Sequence, residues 1–386
     1  MKNNRTFLEK LLDGAEVEWK PLDEVANIVN NARKPVKSSL RVSGNIPYYG
    51  ANNIQDYVEG YTHEGEFVLI AEDGSASLEN YSIQWAVGKF WANNHVHVVN
   101  GKEKLNNRFL YHYLTNMNFI PFLAGKERAK LTKAKLQQIP IPIPPPSVQT
   151  EIVKILDALT ALTSELTSEL ILRQKQYEYY REKLLSEEEL IKLGATAENL
   201  GDVTSISSGG TPSTKEPAYW VGGNIPWIKS ESCKNKLIDE IKHHITEVGL
   251  QNSNAKLLSP NTTLMAMVGA TIFKTAFLPF EATTNQNIAA IKSKNELSIT
   301  DKFIFYYLTN MYDFFISKLS GYNMVNLSQI KNIKILLPPL EEQQRIVSIL
   351  DKFETLTNSI TEGLPLAIEQ SQKRYEYYRE LLLSFS

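Results

Sequence analysis

The hydrophobic and polar positions along the chain change between a strand-like and a helix-like period, and they do so twice. In the first half, residues 67–71 and 95–99 are short apolar runs that end at turn signals, which predicts strands. Residues 107–118 carry apolar side chains at helical spacing. The second half repeats this pattern, with strands and then a helix predicted at residues 263–268, 271–278, 288–291 and 301–312.

A much longer helical pattern follows the first half. Residues 139–146 are rich in proline and predict an extended segment, because proline removes backbone donors and disfavours helix before it. Residues 147–186 then predict one helix, roughly 60 Å long at 1.5 Å per residue. Its apolar positions recur at steps of three and four, as in a coiled-coil seam. The seam positions are Ile152, Ile155, Leu159, Leu162, Leu166, Tyr177 and Tyr180.

The second half ends with the same pattern, at residues 341–386. Pro365 lies inside it, so a break or kink and a continuous helix both remain open. The seam positions are Ile346, Ile349, Phe353, Leu356, Ile360, Tyr375 and Tyr378.

The two halves also share sequence. Residues 113–117 (Tyr-Leu-Thr-Asn-Met) return at 307–311, and residues 177–182 (Tyr-Glu-Tyr-Tyr-Arg-Glu) return at 375–380. The first match has an offset of 194 residues and the second an offset of 198, so the second copy carries four extra residues between them. The match is looser upstream, where Gly-Asn-Ile-Pro-aromatic occurs twice. A period this long indicates duplication of a whole domain rather than a solenoid.

These patterns predict an α+β protein with a pseudo-two-fold internal repeat. We expect two similar mixed α/β domains plus two long helices that pair as an antiparallel coiled coil, with the domains at opposite ends of a rod. The alternative is that each helix packs on its own domain. The predicted boundaries are 1–146 for the first domain, 147–186 for the first helix, 187–340 for the second domain and 341–386 for the second helix.

Composition and charge restrict the function without naming it. Apolar residues make up 42% and charged residues 22% of the 386 residues, and the net charge is -2. A nucleic-acid partner would therefore require basic residues gathered on one surface. Cys233 is the single cysteine, which excludes an internal disulfide and a cysteine-rich zinc site. The first residues lack the apolar run of a signal peptide, and no segment is apolar enough to span a bilayer, which predicts a cytoplasmic protein.

Catalytic motifs are missing from the sequence. There is no Walker loop, no dinucleotide fingerprint, no His-Glu-x-x-His, no nucleophile elbow and no Asn/Asp-Pro-Pro-aromatic motif of amino-methyltransferases. His95 and His97 fall short of a metal site without a third ligand, and the second copy has neither. We therefore predict no catalytic residue, no metal and no cofactor on this chain.

Groups suited to reading bases are more plentiful, in four polar stretches and one basic cluster. Asn and Gln can pair with adenine, and Lys and Arg can bind guanine or phosphate. The alternative for each residue is an ordinary polar loop. In the first half the candidates are Tyr48, Tyr49, Asn52, Asn53, Asn93, Asn94, His95, Lys126, Arg128, Lys130, Lys133 and Lys135. In the second half they are Thr211, Lys215, Trp227, Lys229, Ser230, Asn285, Gln286 and Asn287.

Several segments resemble the specificity subunits of type I restriction-modification systems. Residues 333–346 (Ile-Lys-Ile-Leu-Leu-Pro-Pro-Leu-Glu-Glu-Gln-Gln-Arg-Ile) and their echo at 139–152 match the proline-led segment that precedes each long helix in that family. Residues 208–212 and 225–228 match the opening of a family domain. The repeated Thr-Ser-Glu-Leu of residues 163–170 is similar to four-residue repeats in the family's central helix.

The resemblance implies a division of labour. Each domain would be a target recognition domain that reads one half of a split, asymmetric site in double-stranded DNA. The helices would set the gap between half-sites and dock two modification (methyltransferase) subunits, which alone would bind S-adenosylmethionine. Restriction subunits would join the full complex. Two other hypotheses are a coiled-coil scaffold whose domains bind proteins, and an enzyme with an unrecognised site.

Overall fold

The chain forms two compact units, and neither unit is a single stretch of sequence. The computed structural model describes residues 6–125, 129–318, 324–359 and 361–385. Unit 1 consists of Met1–Thr167 and Ala367–Ser386, and unit 2 consists of Ser168–Leu366. Each unit therefore takes helical residues from both halves of the repeat.

Unit 1 is built on a mixed sheet. Its strands are β1 (Glu18–Pro21), β2 (Ala26–Ile28), β3 (Ser43–Tyr49), β4 (Ile54–Val58), β5 (His63–Ala71), β6 (Ile83–Ala92), β7 (Val96–Gly101) and β8 (Pro140–Ile143). Six of them form a sheet in the order β2-β7-β5-β6-β3-β4, in which β3 and β6 are parallel neighbours. The proline-rich β8 pairs with β1 in a separate two-stranded sheet. The strands predicted at residues 67–71 and 95–99 fall within β5 and largely within β7.

The helices that begin in unit 1 contribute to one core with that sheet. They are α1 (Phe7–Leu12), α2 (Leu22–Val25), α3 (Asn107–Thr115), α4 (Lys133–Gln137) and α5 (Pro146–Leu184). Helix α3 packs on β5, β6 and β7. Asn106 caps α3 by accepting hydrogen bonds from the backbone of residues 108 and 109, which explains where the helix begins. Phe109, Leu110 and Leu114 of α3 are fully buried in the core. The predicted helices at residues 107–118 and 147–186 are thus present with slightly different ends.

Unit 2 repeats the plan with a sheet that is split. Its strands are β9 (Thr196–Asn199), β10 (Thr204–Ser208), β11 (Ile225–Ile228), β12 (Lys236–Leu237), β13 (His244–Ile245), β14 (Thr262–Ala266), β15 (Thr275–Leu278), β16 (Thr283–Thr284), β17 (Ile288–Ser293) and β18 (Lys334–Leu337). Five strands follow the order β10-β17-β14-β15-β12, three follow β13-β11-β16, and β18 pairs with β9. The strand predicted at residues 271–278 is shorter than expected, because residues 269–271 form a turn and β15 begins only at Thr275.

The remaining helices include the second long helical segment, which is interrupted. They are α6 (Glu187–Lys192), α7 (Leu200–Val203), α8 (Glu247–Gln251), α9 (Asp301–Asn310), α10 (Tyr312–Lys318), α11 (Leu327–Lys331), α12 (Leu340–Asn358) and α13 (Leu364–Leu383). Of the two possibilities at Pro365, the structure shows the break, so residues 341–386 are two helices. Gly363 has φ +84°, which favours glycine, and a Cβ there would lie 2.5 Å from the Thr355 carbonyl oxygen. Pro365 is the second residue of α13, where its missing N–H has no helical partner to lose.

The predicted antiparallel helix pairing is present within each unit. In unit 1, Ile152 near the start of α5 shares a core with Leu382 near the end of α13, and Thr163 bonds Ser371 at 2.8 Å between hydroxyl oxygens. In unit 2, the ring of Tyr177 in α5 lies 6.2 Å from that of Phe353 in α12. Each unit therefore holds its own helix pair.

The predicted seam positions differ in how deeply they are buried. Ile152 and Ile346 are fully buried, whereas Leu162 is 38% exposed and Tyr180 is 41% exposed. Thr163 takes the inward position beside Leu162, and Tyr180 stacks on Phe353 with its other face open. Ile360 lies outside the described residues. Tyr177 is buried. The other described seam positions are half-buried: Ile155, Leu159, Leu166, Ile349, Phe353, Leu356, Tyr375 and Tyr378.

A buried glutamine joins the start of the long helix to the domain in both units. In unit 1 the Gln149 amide accepts from the Asn106 N–H and donates to the carbonyls of Lys104 and Pro144, all within 2.9 Å. In unit 2 Gln343 forms the same three bonds, with the Thr300 N–H and with the carbonyls of residues 298 and 338. Both side chains are shielded from solvent and use most of their hydrogen-bonding capacity.

An aspartate about two helical turns later makes a second joint, but its partners differ. In unit 1 Asp157 accepts from Arg108 and His112 of α3, each at 2.8 Å. In unit 2 the equivalent Asp351 accepts from Lys302 at 2.8 Å and from Tyr306 at 2.5 Å. The position of the carboxylate is repeated, while the chemistry of its donors is not.

Candidate nucleic-acid interface in each unit

One turn is built in the same way in both units, and it joins two motifs that the sequence repeats. In unit 1 the backbone of Asn93 donates to the Tyr49 carbonyl, and the Asn93 side chain accepts from the N–H of His95 at 2.8 Å. In unit 2 Asn285 makes the same two contacts, with Ile228 and with Asn287. The Gly-Asn-Ile-Pro strand therefore lies parallel to the strand that leads into this turn, β6 in unit 1 and β16 in unit 2.

Four loops of unit 1 meet around the turn at residues 93–95. The Asn52 side chain donates to the Gly74 carbonyl at 2.7 Å and so ties the β3–β4 loop to the loop after β5. The Arg33 guanidinium donates to the Asn94 carbonyl at 3.3 Å and to the Val96 carbonyl at 2.8 Å. These bonds connect the loops at one edge of the sheet into a polar surface. We call this surface rim 1: residues 30–33, 50–53, 72–76, 93–95 and 130–133.

Glu72 is the electrostatic centre of rim 1. Its carboxylate lies 2.7 Å from Arg33 and 2.9 Å from Lys130. Burial opposes the charged form, but the hydrogen bonds from Arg33 and Lys130 outweigh it and lower the pKa of Glu72. The same bond raises the pKa of Lys130. Two cations, Arg33 and Lys130, thus flank the Glu72 carboxylate, and Lys133 of the same rim is exposed.

His95 of rim 1 and His97 of the adjoining strand β7 have different roles, and neither is arranged for a metal. His97 is fully buried, its Nε2 bonds the Leu131 carbonyl at 2.7 Å, and its Nδ1 bonds the Asn30 side chain at 2.9 Å. Burial lowers the pKa of His97, so it is neutral at pH 7 with both nitrogens occupied. His95 lies on the surface and bonds Asp73. Among the described residues, no group of three or more His, Cys, Asp or Glu side chains could hold a metal ion.

Unit 2 has an equivalent rim, which we call rim 2: residues 209–215, 228–232, 269–271 and 285–287. Gly210 donates its N–H to the Thr284 carbonyl, and the Trp227 indole donates to the Gly210 carbonyl at 3.0 Å. A Cβ at Gly209 would lie 2.1 Å from the Thr284 carbonyl oxygen, so only glycine permits this approach. The loop is thereby pressed against the turn that carries Gln286.

Side chains across rim 2 are linked by hydroxyl and amide groups, and its ion pair, between Lys229 and Glu231 at 4.0 Å, lies within one loop. The Thr211 hydroxyl donates to Oε1 of Gln286 at 2.6 Å. The Thr271 hydroxyl donates to the Ser230 carbonyl at 3.1 Å. The Lys229 ammonium lies 5.7 Å from the centre of the Trp227 ring. Lys215 is exposed at the end of the glycine-containing loop.

Four candidate residues are interior side chains, which corrects the prediction that they could contact bases. Tyr48 and Trp227 occupy equivalent places in β3 and β11, and they are only 1% and 5% exposed. Asn93 and Asn285 are also buried, because each uses its amide oxygen to hold its own turn. These residues support the rims and are removed from the set of possible base contacts.

The remaining candidates lie at the surface, apart from two that fall outside the described residues, Lys126 and Arg128. Exposed or half-buried candidates are Tyr49, Asn52, Asn53, Asn94, His95, Lys130, Lys133, Lys135, Thr211, Lys215, Lys229, Ser230, Gln286 and Asn287. The sequence reading missed Arg33, Glu72 and Asp73. Arg33 stands in a proline-containing loop far from its partners along the chain, and no local pattern indicates that it closes rim 1.

Two further observations on the described residues concern the reactivity of the single cysteine and the hydropathy of the helices. Cys233 is fully buried, and burial raises the pKa of its thiol to about 12, which suits an inert side chain. Of the helices in the described part of the chain, none has both the length and the apolar composition to cross a membrane.

Comparison with known proteins agrees with the duplicated architecture. The family model for the type I restriction modification DNA specificity domain matches twice, at residues 15–173 and 196–370. A putative type I restriction enzyme specificity subunit from Haemophilus influenzae is 65% identical over 100% of both chains. The EcoR124I/EcoR124II specificity subunit of Escherichia coli is 34% identical over 98% of this chain and 97% of its own length.

Solved structures share the fold at low sequence identity. The crystal structure of a type I restriction-modification S subunit from M. genitalium matches with a TM-score of 0.63 and 13% identity, over 100% of this chain and 98% of that one. The sequence relatives and the two matches to the family model carry the assignment. The chain belongs to the specificity (S) subunits of type I restriction-modification systems, the non-catalytic components that determine which DNA target the complex recognises.

Proposed function

We propose that rims 1 and 2 each read one half of a bipartite, asymmetric site in duplex DNA. The observation that carries the proposal is that the two units repeat the same supporting turn and differ in the side chains exposed on it. Side chains held on a rigid scaffold and differing between otherwise equivalent sites are suited to two different sequences. The two halves of the target are therefore unlike.

Partners supply the chemistry. Two modification subunits dock on the helices and bring S-adenosylmethionine, and restriction subunits join for cleavage. This chain contributes no catalytic group and binds no cofactor. Because the complex acts on chromosomal and incoming DNA, its location is the cytoplasm. The candidate base and phosphate contacts are the exposed members of both rims, with Lys126 and Arg128 as further phosphate contacts.

The predicted boundaries 1–146 and 187–340 remain our proposal for the two target recognition domains, with α5 as the spacer between them. Helix α5 is unbroken over 39 residues and includes the Thr-Ser-Glu-Leu repeat. Four more residues would lengthen a helix by roughly 6 Å and turn it slightly more than once. That length is about two base-pair steps of DNA.

The test is a length change in α5. The chain is reconstituted with its modification subunits and S-adenosylmethionine, and methylated sites are sequenced. One extra Thr-Ser-Glu-Leu unit inserted after Leu170 is expected to lengthen the tolerated spacer and to leave both half-sites unchanged. The matched control replaces Thr167 and Ser168 with alanine, which alters the repeat without changing its length, and should leave the spacer unchanged.

Two results would contradict the proposal. An unaltered spacer in the insertion variant would show that α5 does not set the distance. Altered half-sites would show that recognition depends on the helix and not on the rims. If the isolated chain methylated DNA without its partners, the division of labour itself would be wrong.

A further inference from the structure

We infer that Asn94 and Gln286 are equivalent residues that each read an adenine, one in each half of the target. The inference rests on the proposed function and names the residue and base at one position of each half-site. Both residues occupy the middle of the repeated turn, 192 positions apart, and both carry a side-chain amide. Amide side chains are those that pair bidentately with adenine in the major groove.

The turn holds its middle residue in a fixed place in both units. The residue before is anchored through its backbone and side chain, as described for Asn93 and Asn285. The residue after is anchored through its carbonyl, which accepts from Glu72 in unit 1 at 2.8 Å and from Met267 in unit 2 at 2.9 Å. The middle residue exposes its side chain beyond these anchors in both units, whereas the residue after it is exposed in unit 1, as His95, and half-buried in unit 2, as Asn287.

In unit 2 a neighbouring hydroxyl also fixes the direction of the amide. Because the Thr211 hydroxyl donates to Oε1 of Gln286, the amide oxygen is held and the NH₂ group points away from Thr211. The oxygen keeps its second lone pair for the adenine N6 amino group, and the NH₂ group is free to donate to N7. Thr211 is thus a positioning residue.

In unit 1 the acidic side chains near Asn94 are bonded to neighbouring side chains, which favours the approach of DNA. Two carboxylates lie beside the turn, and an unpaired carboxylate would repel phosphates. Glu72 is paired with the two cations Arg33 and Lys130, and Asp73 accepts a hydrogen bond from His95. The Arg33 guanidinium also holds the Asn94 carbonyl. Asn94 is one methylene shorter than Gln286, so its rim must approach the base pair more closely.

The test measures base preference in each half-site separately. The reconstituted methyltransferase complex is assayed with Asn94→Ala and Gln286→Ala on DNA in which each half-site position is varied in turn. Each variant is expected to lower the preference for adenine at one position of its own half-site by roughly 5- to 150-fold, the range for one bidentate contact. The other half-site serves as an internal control for folding, because its preferences should stay unchanged.

Two further sets of variants sharpen the test. Thr211→Val is expected to weaken the same adenine preference as Gln286→Ala, and Thr211→Ser, which keeps the hydroxyl, should restore it. Gln138→Ala and Gln251→Ala remove exposed amides from the two units outside the rims. They should leave every preference unchanged.

The outcomes separate this inference from the proposed function. If the wild-type complex methylates a bipartite site and both alanine variants keep its full preferences, the inference is overturned while the proposed function stands. Relaxation at a position that is not an A·T pair would also overturn it. A wild-type complex without sequence preference would instead refute the proposed function.

Discussion

The two units keep their joints to the long helices and differ at the rims. Gln149 and Gln343 each make three hydrogen bonds with equivalent backbone groups. In contrast, rim 1 is tied together by ion pairs around Glu72, and rim 2 by the contact between Thr211 and Gln286. The hydrogen bonds of Gln149 and Gln343 go to backbone groups, so they can be kept when neighbouring side chains change. The contacts of the rims are made by side chains, and those side chains differ between the units.

The aspartate joint lies between these extremes. Asp157 and Asp351 occupy the same place, but the first faces a guanidinium and an imidazole and the second an ammonium and a phenol. The position of the carboxylate that links the long helix to its domain is thus the same in both units, while the residues that donate hydrogen bonds to it differ. Three experiments test how far the units are equivalent.

The largest effect is expected at the buried glutamines. Gln149→Ala and Gln343→Ala each leave one N–H and two carbonyls without their partner, which should lower the free energy of unfolding by roughly 2–4 kcal/mol. The loss should be similar in both units. Hydrogen exchange of residues 104–109 and 298–303, with urea denaturation of the whole chain, measures it.

The exposed Gln344 is the control for the glutamine experiment. Gln344→Ala should change the free energy of unfolding by less than about 0.5 kcal/mol. Unequal losses in the two units would show that one joint is dispensable, and the equivalence of the scaffolds would fail.

A smaller and unequal effect is expected at the aspartates. Asp157→Ala leaves His112 buried without a partner on either ring nitrogen, since its Nδ1 already has none. Asp351 and Lys302 line a cavity of about 740 Å³, so water can reach the ammonium group that Asp351→Ala would free, and only the Tyr306 hydroxyl would be left buried without its partner. We expect about 1–3 kcal/mol lost in unit 1 and about 1 kcal/mol in unit 2, by hydrogen exchange of α3 and α9. Equal losses would contradict this account.

The smallest effect is a pH dependence of opposite sign in the two units. Burial lowers the pKa of His63, His97 and His112 in unit 1. The unfolded chain gains these protons first as pH falls below about 6.5, so unit 1 loses stability as the pH falls. In unit 2 burial raises the pKa of Glu354, so the folded state gains a proton first and is favoured as pH falls toward the ordinary value of a glutamate.

Hydrogen exchange at pH 7.5 and 5.5, corrected for intrinsic rates, follows both units in one sample. Exchange should rise in the core of unit 1 and not in α12. His243→Gln, at an exposed position of unit 2, is the control and should not alter the pH dependence. A parallel loss in both units would show that the buried histidines do not control it.

Sequence patterns predicted the duplication, the helices and the pairing, because these depend on local spacing and on identity between the halves. The same patterns could not distinguish the aromatic residues that support the rims from the residues proposed to contact bases. Tyr48 and Trp227 stand in polar stretches, and they are covered by neighbours that the pattern does not indicate, the Trp91 ring beside Tyr48 and the Trp220 ring beside Trp227. The role of Gln149 and Gln343 was also hidden, since their partners lie more than 40 residues away apart from one carbonyl.

The seam shows the same limit in a helix. Spacing identified Leu162 and Leu166 as equivalent, yet Leu162 is turned toward solvent because Thr163 faces Ser371. Helical spacing determines which residues share a face, but the partner helix determines where that face is covered. Pro365 is a similar case, since Gly363 before it allows the chain to turn between two helices.

The core of unit 1 is completed by Leu382 and Leu383, which follow all of unit 2 along the chain, whereas the strands they cover precede it. A ribosome must therefore synthesise all of unit 2 before the core of unit 1 can close. A stop codon between the codons for Leu366 and Leu382 would damage unit 1, whose strands are encoded upstream, and would spare unit 2. Recombination that exchanges the strand-bearing part of unit 1 must also carry, or match, a segment encoded downstream of unit 2.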